Sequence, residues 1–96
     1  MPSIYQTPYF LKKAKKLLAK NVDLIRKTSQ TILKIKDNPH DISLKTHKVI
    51  TPKFGEAFSS RINGDLRIIW NYGQRYEIQV IDLLDIGGHS GINSVY

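Results

Sequence analysis

Cysteine is absent from the 96 residues, which excludes a disulfide framework and any thiolate metal site. Histidine is scarce as well. His40, His47 and His89 lack the spacing of a metal-ligand set. No apolar run approaches the roughly 18–20 residues of a membrane span, and no signal-peptide pattern precedes the first amphipathic segment. A soluble, cytoplasmic protein is expected, with no membrane partner and no cofactor. Acidic residues are the remaining shortage: 8 Asp and Glu stand against 15 Lys and Arg, a net charge of +7. The shortage is local. Residues 1–48 hold 11 Lys/Arg against Asp23, Asp37 and Asp41, a net of +8, while residues 49–96 come to −1. A basic half attracts a polyanion, whether nucleic acid, a membrane surface or an acidic protein segment. The same charge also fits a solvated lysine-rich face.

Apolar residues make up 41% of the chain and aromatics 9%, which supports a globular core and argues against disorder. The length predicts one domain spanning 1–96, with a modest core. "SIYQT" (3–7) reads as a short strand before Pro8. "YFLKKAKKLLAKN" places Phe10, Ala14 and Leu17 on one helical line and Leu11 and Leu18 on the next, with lysines opposite. "VDLIRKTSQTILKIKDNP" gives a second helix with Val22, Ile25, Ile32 and Ile35 on one stripe. Asp23 lies in its first turn and Lys34 and Lys36 in its last, as the helix dipole favours. Asp37-Asn38-Pro39 stops it. Residues 38–55 read as a loop with at most a short extended piece, carrying Lys45, His47 and Lys48.

The second half changes period. "EAFSSRI", "LRIIWNY" and "RYEIQVIDLL" alternate as a β-meander, separated by "NGD" and "GQ". Asn-Gly usually marks a two-residue turn. A three-residue loop, Asn63-Gly64-Asp65, instead pairs Ile62 with Leu66, Ser60 with Ile68 and Phe58 with Trp70. That choice puts the large apolar residues, Trp70 and Tyr72 included, on one buried face, the dominant determinant of register. It also sets Arg61 opposite Arg67 on the other face, where like charges repel. An anion held between them would account for the placement; so would two splayed arginines partnered by Asp65 or Asp82. In the third strand Tyr76, Ile78 and Val80 alternate inward, and "VIDLLD" breaks the alternation, which suggests a bulge or burial on both faces. Gly87 and Gly88 then permit a sharp turn before His89.

This layout, with the words "LKTHKV" (44–49), "SSRINGDLRIIWNY" (59–72) and "LLDIGGH…VY" (83–96), resembles the RelE/ParE superfamily of bacterial toxin–antitoxin toxins. The resemblance implies an α+β fold: an N-terminal helical hairpin packed on a small, mainly antiparallel four-stranded sheet. It implies a ribosome-dependent mRNA endonuclease that uses the 2′-hydroxyl of the RNA as nucleophile and needs no metal. Arg61 matches the hairpin arginine placed on the scissile phosphate. His89 matches the histidine or arginine after a glycine, Tyr96 the terminal aromatic, and His47 the loop histidine of the YafQ group. Arg61, Arg67, His47 and His89 are therefore the expected catalytic set, with Tyr96, Lys45 and Lys48 binding substrate. Which residue is the general base is left open. The implied partners are an antitoxin protein, the ribosome and mRNA. Two other functions share the pattern: a ParE-like poison of DNA gyrase, and a basic RNA-binding module without activity.

Overall fold

The computed structural model describes residues 2–89 and 94–96. Strand β1 (Ser3–Gln6) leads into helices α1 (Pro8–Leu17) and α2 (Val22–Asp37). A 3₁₀ turn (Ile42–Leu44) precedes strands β2 (His47–Thr51), β3 (Gly55–Arg61), β4 (Leu66–Arg75) and β5 (Ile78–Gly88). Among the described residues these five strands form one sheet in the order β1-β5-β4-β3-β2. β1 is parallel to β5 and every other pairing is antiparallel.

The α+β class and the two helices match the expectation, but the sheet has five strands, not four. The extra strand is β2, in the stretch that reads as a loop. Its pattern is weak because it is an edge strand, with His47, Lys48 and Ile50 all exposed. Pairing with β3 organises it, rather than a buried face of its own. The strand expected at 3–7 is present as β1, so the two helices do not open the chain as the resemblance implied. β1 precedes them and closes the other edge of the sheet against β5.

Each helix begins on a side-chain cap. Thr7 Oγ1 accepts from the Phe10 amide at 3.3 Å and donates to the Leu83 carbonyl at 2.6 Å, which ties the start of α1 to β5. Pro8 follows at the first helical position, where its missing N–H costs nothing. Asn21 caps α2 through the Leu24 amide. α2 turns inward a stripe that is only partly the one expected. Ile35 is buried and Ile32 packs on the core as expected, but Leu24, Thr28 and Thr31 turn inward where Val22 and Ile25 stay exposed.

The main core lies between the helices and one face of the sheet. Phe10, Leu18 and Ile35 pack against Ile62, Leu66, Ile68, Trp70, Ile81, Leu83 and Ile86. Phe58 stacks on Trp70 with ring centroids 4.8 Å apart. Trp70 Nε1 donates to Ser60 Oγ at 2.8 Å, and Ser60 bonds Thr46 at 2.7 Å, which anchors the connection before β2. Tyr72 lies at the rim, 38% exposed, rather than in this core.

The three-residue hairpin register is present. Phe58 pairs with Trp70, Ser60 with Ile68 and Arg61 with Arg67, and the Ile62 amide reaches the Leu66 carbonyl at 2.9 Å. The bulge is present too. Ile69 pairs with Asp85 and Trp70 with Leu83, leaving Leu84 as the extra residue. The turn between β4 and β5 differs from the reading. Gly73 and Gln74 stay in β4, and the chain reverses at Tyr76-Glu77, between paired Arg75 and Ile78. Tyr76 and Ile78 are therefore exposed, not inward. Both turn residues have positive φ, 54° and 65°, as a type I′ turn requires, although neither has the side chain that favours it. Glu77→Gly should relieve this strain and stabilise the fold by about 1 kcal/mol. A rise in thermal midpoint of roughly 4–8 °C is expected; no rise would place the turn elsewhere.

Candidate functional site

Residues directly opposite in antiparallel strands project to the same face. On the sheet face opposite the main core, one cross-strand row runs His47, Ser59, Ile69, Asp85. The next row runs Arg61, Arg67, Gly87. Both rows depend on the hairpin register and on the bulge at Leu84, without which Asp85 would face the main core.

The two arginines meet at the hairpin loop. Arg61 Nε donates to the Asn63 carbonyl at 3.0 Å, and Arg67 Nη1 donates to the same oxygen at 2.8 Å. Arg67 Nη1 also reaches the Leu66 carbonyl at 3.1 Å. One loop carbonyl thus sits between two guanidinium groups and offsets part of their repulsion. Neither arginine forms an ion pair among the described residues, and Asp82 is taken by Arg75 at 3.2 Å. Each keeps N–H donors free, because guanidinium carries five. The result is a half-buried, doubly cationic corner able to take an anion.

The segment 94–96 lies over the same face. The Val95 amide donates to the Gly88 carbonyl at 3.1 Å, and Val95 packs on Ala57 and Ile69 in a second, smaller core. Tyr96 bonds Ser59 through its hydroxyl and meets the His89 ring edge-on, with centroids 5.0 Å apart. Gly87 and Gly88 are not the turn that the sequence suggested. They extend β5, paired with Arg67 and Leu66, and deliver His89 just beyond the arginine row.

The expected site residues divide accordingly. Arg61, Arg67, His89 and Tyr96 are gathered around one end of β3, β4 and β5. His47 shares the face, opposite Ser59 at the sheet edge, with Nδ1 within 3.0 Å of the Lys45 carbonyl. Lys45 caps the 3₁₀ turn in the left-handed region, at φ 49°, just outside β2. Lys48 pairs with Phe58 on the main-core face, and its ammonium lies 3.0 Å from Glu56. It stands apart from the arginine corner.

Several residues of this region escaped the sequence reading. Ser59 could have been found, since it stands two residues before Arg61 and so shares its face. Asp85 is 4% exposed and binds Lys13 Nζ of α1 at 2.8 Å. Lys53, in the β2–β3 turn, donates to the Tyr9 hydroxyl at 2.8 Å, and that bond raises its pKa. These contacts join residues 44 and 72 positions apart, which no local pattern reveals. No group of three His, Asp or Glu suited to a metal occurs among the described residues.

No protein-family model matches the sequence, and no curated protein matches it significantly. Solved structures do. A YoeB/ParE toxin from Agrobacterium tumefaciens superposes with a TM-score of 0.71 at 14% identity, over 92% of this chain and 99% of that one. YafQ from E. coli strain BL21(DE3) gives 0.69 at 16% identity, over 92% and 93%. A chain of the E. coli DinJ-YafQ complex gives 0.59 at 15% identity, over 93% and 94%. The chain shares the fold of these three structures. At these identities the RelE/ParE likeness is one of backbone, and the chemistry must come from the residues just described.

Proposed function

We propose that this chain is the toxin of a toxin–antitoxin pair and acts as a ribosome-dependent mRNA endonuclease. The observation that supports this most is the gathering of Arg61, Arg67, His89 and Tyr96 around one end of β3, β4 and β5. Cleavage by the 2′-hydroxyl needs a base for its proton, positive charge on the phosphoryl oxygens and a proton for the leaving 5′-oxygen. Arg61 and Arg67 present fixed donors for the phosphoryl oxygens. His89, which follows the Gly87–Gly88 pair opposite Arg67 and Leu66, is the proton carrier beside that corner. Tyr96 supplies an aromatic face for a base. His47, farther out on the same face, is the second proton carrier, and Lys45 the outer phosphate contact. In the reaction the 2′-oxygen bonds to phosphorus, the bond from phosphorus to the 5′-oxygen breaks, and that oxygen takes a proton.

The partner is an antitoxin, which the DinJ-YafQ relative favours by analogy. The test is cleavage of a defined mRNA by purified protein with and without ribosomes. Fragments ending in 2′,3′-cyclic phosphate and 5′-hydroxyl, formed only with ribosomes, are expected. Growth inhibition without RNA cleavage, but with trapped gyrase–DNA complexes, would replace this reading by the ParE-like one. RNA binding with neither effect would leave a passive module.

A further inference from the structure

A cleft of about 470 Å³ opens between α1, the β2–β3 turn and segment 94–96. That volume is in the range of small-ligand sites, roughly 300–1,000 Å³. Lys12 and Lys16, four residues apart on α1, form one wall. Lys53 faces them from the turn, which is held by the Phe54 amide on Thr51 Oγ1 at 2.9 Å and by Gly55 at φ +66°. Lys13 also lines the cleft, but Asp85 neutralises it. Lys12, Lys16 and Lys53 form no ion pair among the described residues. Three ammonium groups with no carboxylate partner among those residues, Lys53 resting on Tyr9, focus positive potential on the concavity. Tyr9 and Tyr96 both line the same cleft. Tyr96 also touches His89 and Ser59, the latter standing two residues before Arg61, so one residue lines the cleft and borders the end of β3 that carries the arginine corner.

We propose that this cleft holds a backbone phosphate of single-stranded RNA, flanking the phosphate at Arg61 and Arg67. The choice of RNA as the strand rests on the nuclease reading; the anion site rests on the lysines. Ammonium groups bind phosphate as point charges, and aromatic faces beside them accept bases without sequence preference. An acidic peptide would satisfy the lysines but leaves unused Tyr96, the aromatic between the cleft and His89.

The test is the full chain carrying Lys12→Gln, Lys16→Gln and Lys53→Gln together. The probe is a labelled oligouridylate, 2′-O-methylated so that it cannot be cut, titrated by anisotropy over a range of salt. The triple variant should bind at least tenfold more weakly at low salt. Its log–log salt slope should be shallower by about 1–2, as expected for losing contacts that each release counterions. Unchanged affinity and slope in a folded variant would overturn the proposal. So would loss of polyglutamate binding with RNA binding intact, which would make the cleft an acidic-protein face. If the triple variant loses RNA while Arg61→Ala still cleaves, the cleft stands and only the assignment of the arginine corner falls.

Discussion

Arg61→Ala should lower ribosome-dependent mRNA cleavage by about 10²–10³-fold, the usual consequence of removing one preorganised charge from a developing oxyanion. Folding should survive. The Asn63 carbonyl that Arg61 holds at 3.0 Å is also held by Arg67 at 2.8 Å, so the substitution orphans no acceptor. Two small effects then oppose each other. The hydrogen bond is lost, at about 0.5–1.5 kcal/mol. The repulsion with Arg67 directly across the hairpin is relieved, at about 0.2–1 kcal/mol. The thermal midpoint should move by only a few degrees while cleavage collapses, both measured on one preparation. A folded variant cleaving at the wild-type rate would falsify the phosphate role. A variant that melts far earlier would show Arg61 to be a structural pin of the hairpin loop.

Lys13→Met should be the most destabilising single change considered. Asp85 is 4% exposed, and among the described residues its carboxylate forms one ion pair, with Lys13 Nζ at 2.8 Å. Its same oxygen accepts from the Ile86 amide at 2.8 Å, which holds the carboxylate in place but supplies no counter-charge. Breaking a buried pair by removing one partner costs about 3–5 kcal/mol. The Lys13 side chain is 18% exposed, so solvent replaces part of what is lost, and about 2–3 kcal/mol is expected. For a chain of this size that is a fall of roughly 10–20 °C in midpoint. The companion change Asp85→Leu should restore most of it in the double variant, because the uncompensated charge is then gone. Denaturant titration of the wild type, both single variants and the double closes the cycle. Equal midpoints for wild type and Lys13→Met would mean that α1 is not tied to the bulge by this pair.

The candidate site was legible where one local rule decided it. Counting apolar residues across the Asn63-Gly64-Asp65 loop was enough to set the β3–β4 register, because a slip by one residue would turn a whole face outward. Arg61 facing Arg67 followed from that count. The broken alternation of "VIDLLD" left a bulge or burial on both faces open, and the pairing of β4 with β5 has the bulge, at Leu84. Legibility failed where an element is organised by its neighbour. β2 shows little pattern because it lies at the edge with most side chains in solvent. The Tyr76-Glu77 reversal was hidden because neither residue advertises positive φ, and the pairing of Gln74 with Gln79 and Arg75 with Ile78 overrides their preference.

The chain's order of residues therefore determined by itself the two helices, the basic first half and the arginine pair, since each depends on periodicity or composition within a few turns or one hairpin. Tertiary structure decided what surrounds that pair. Only folding brings Tyr96 onto Ser59 and His89, seats Lys13 on Asp85, and sets Lys53 beside Tyr9 across from Lys12 and Lys16. Those contacts join residues far apart in sequence, and their geometry is set by where β5 ends and how α1 crosses it. No spacing along the chain encodes that distance; the packed core does.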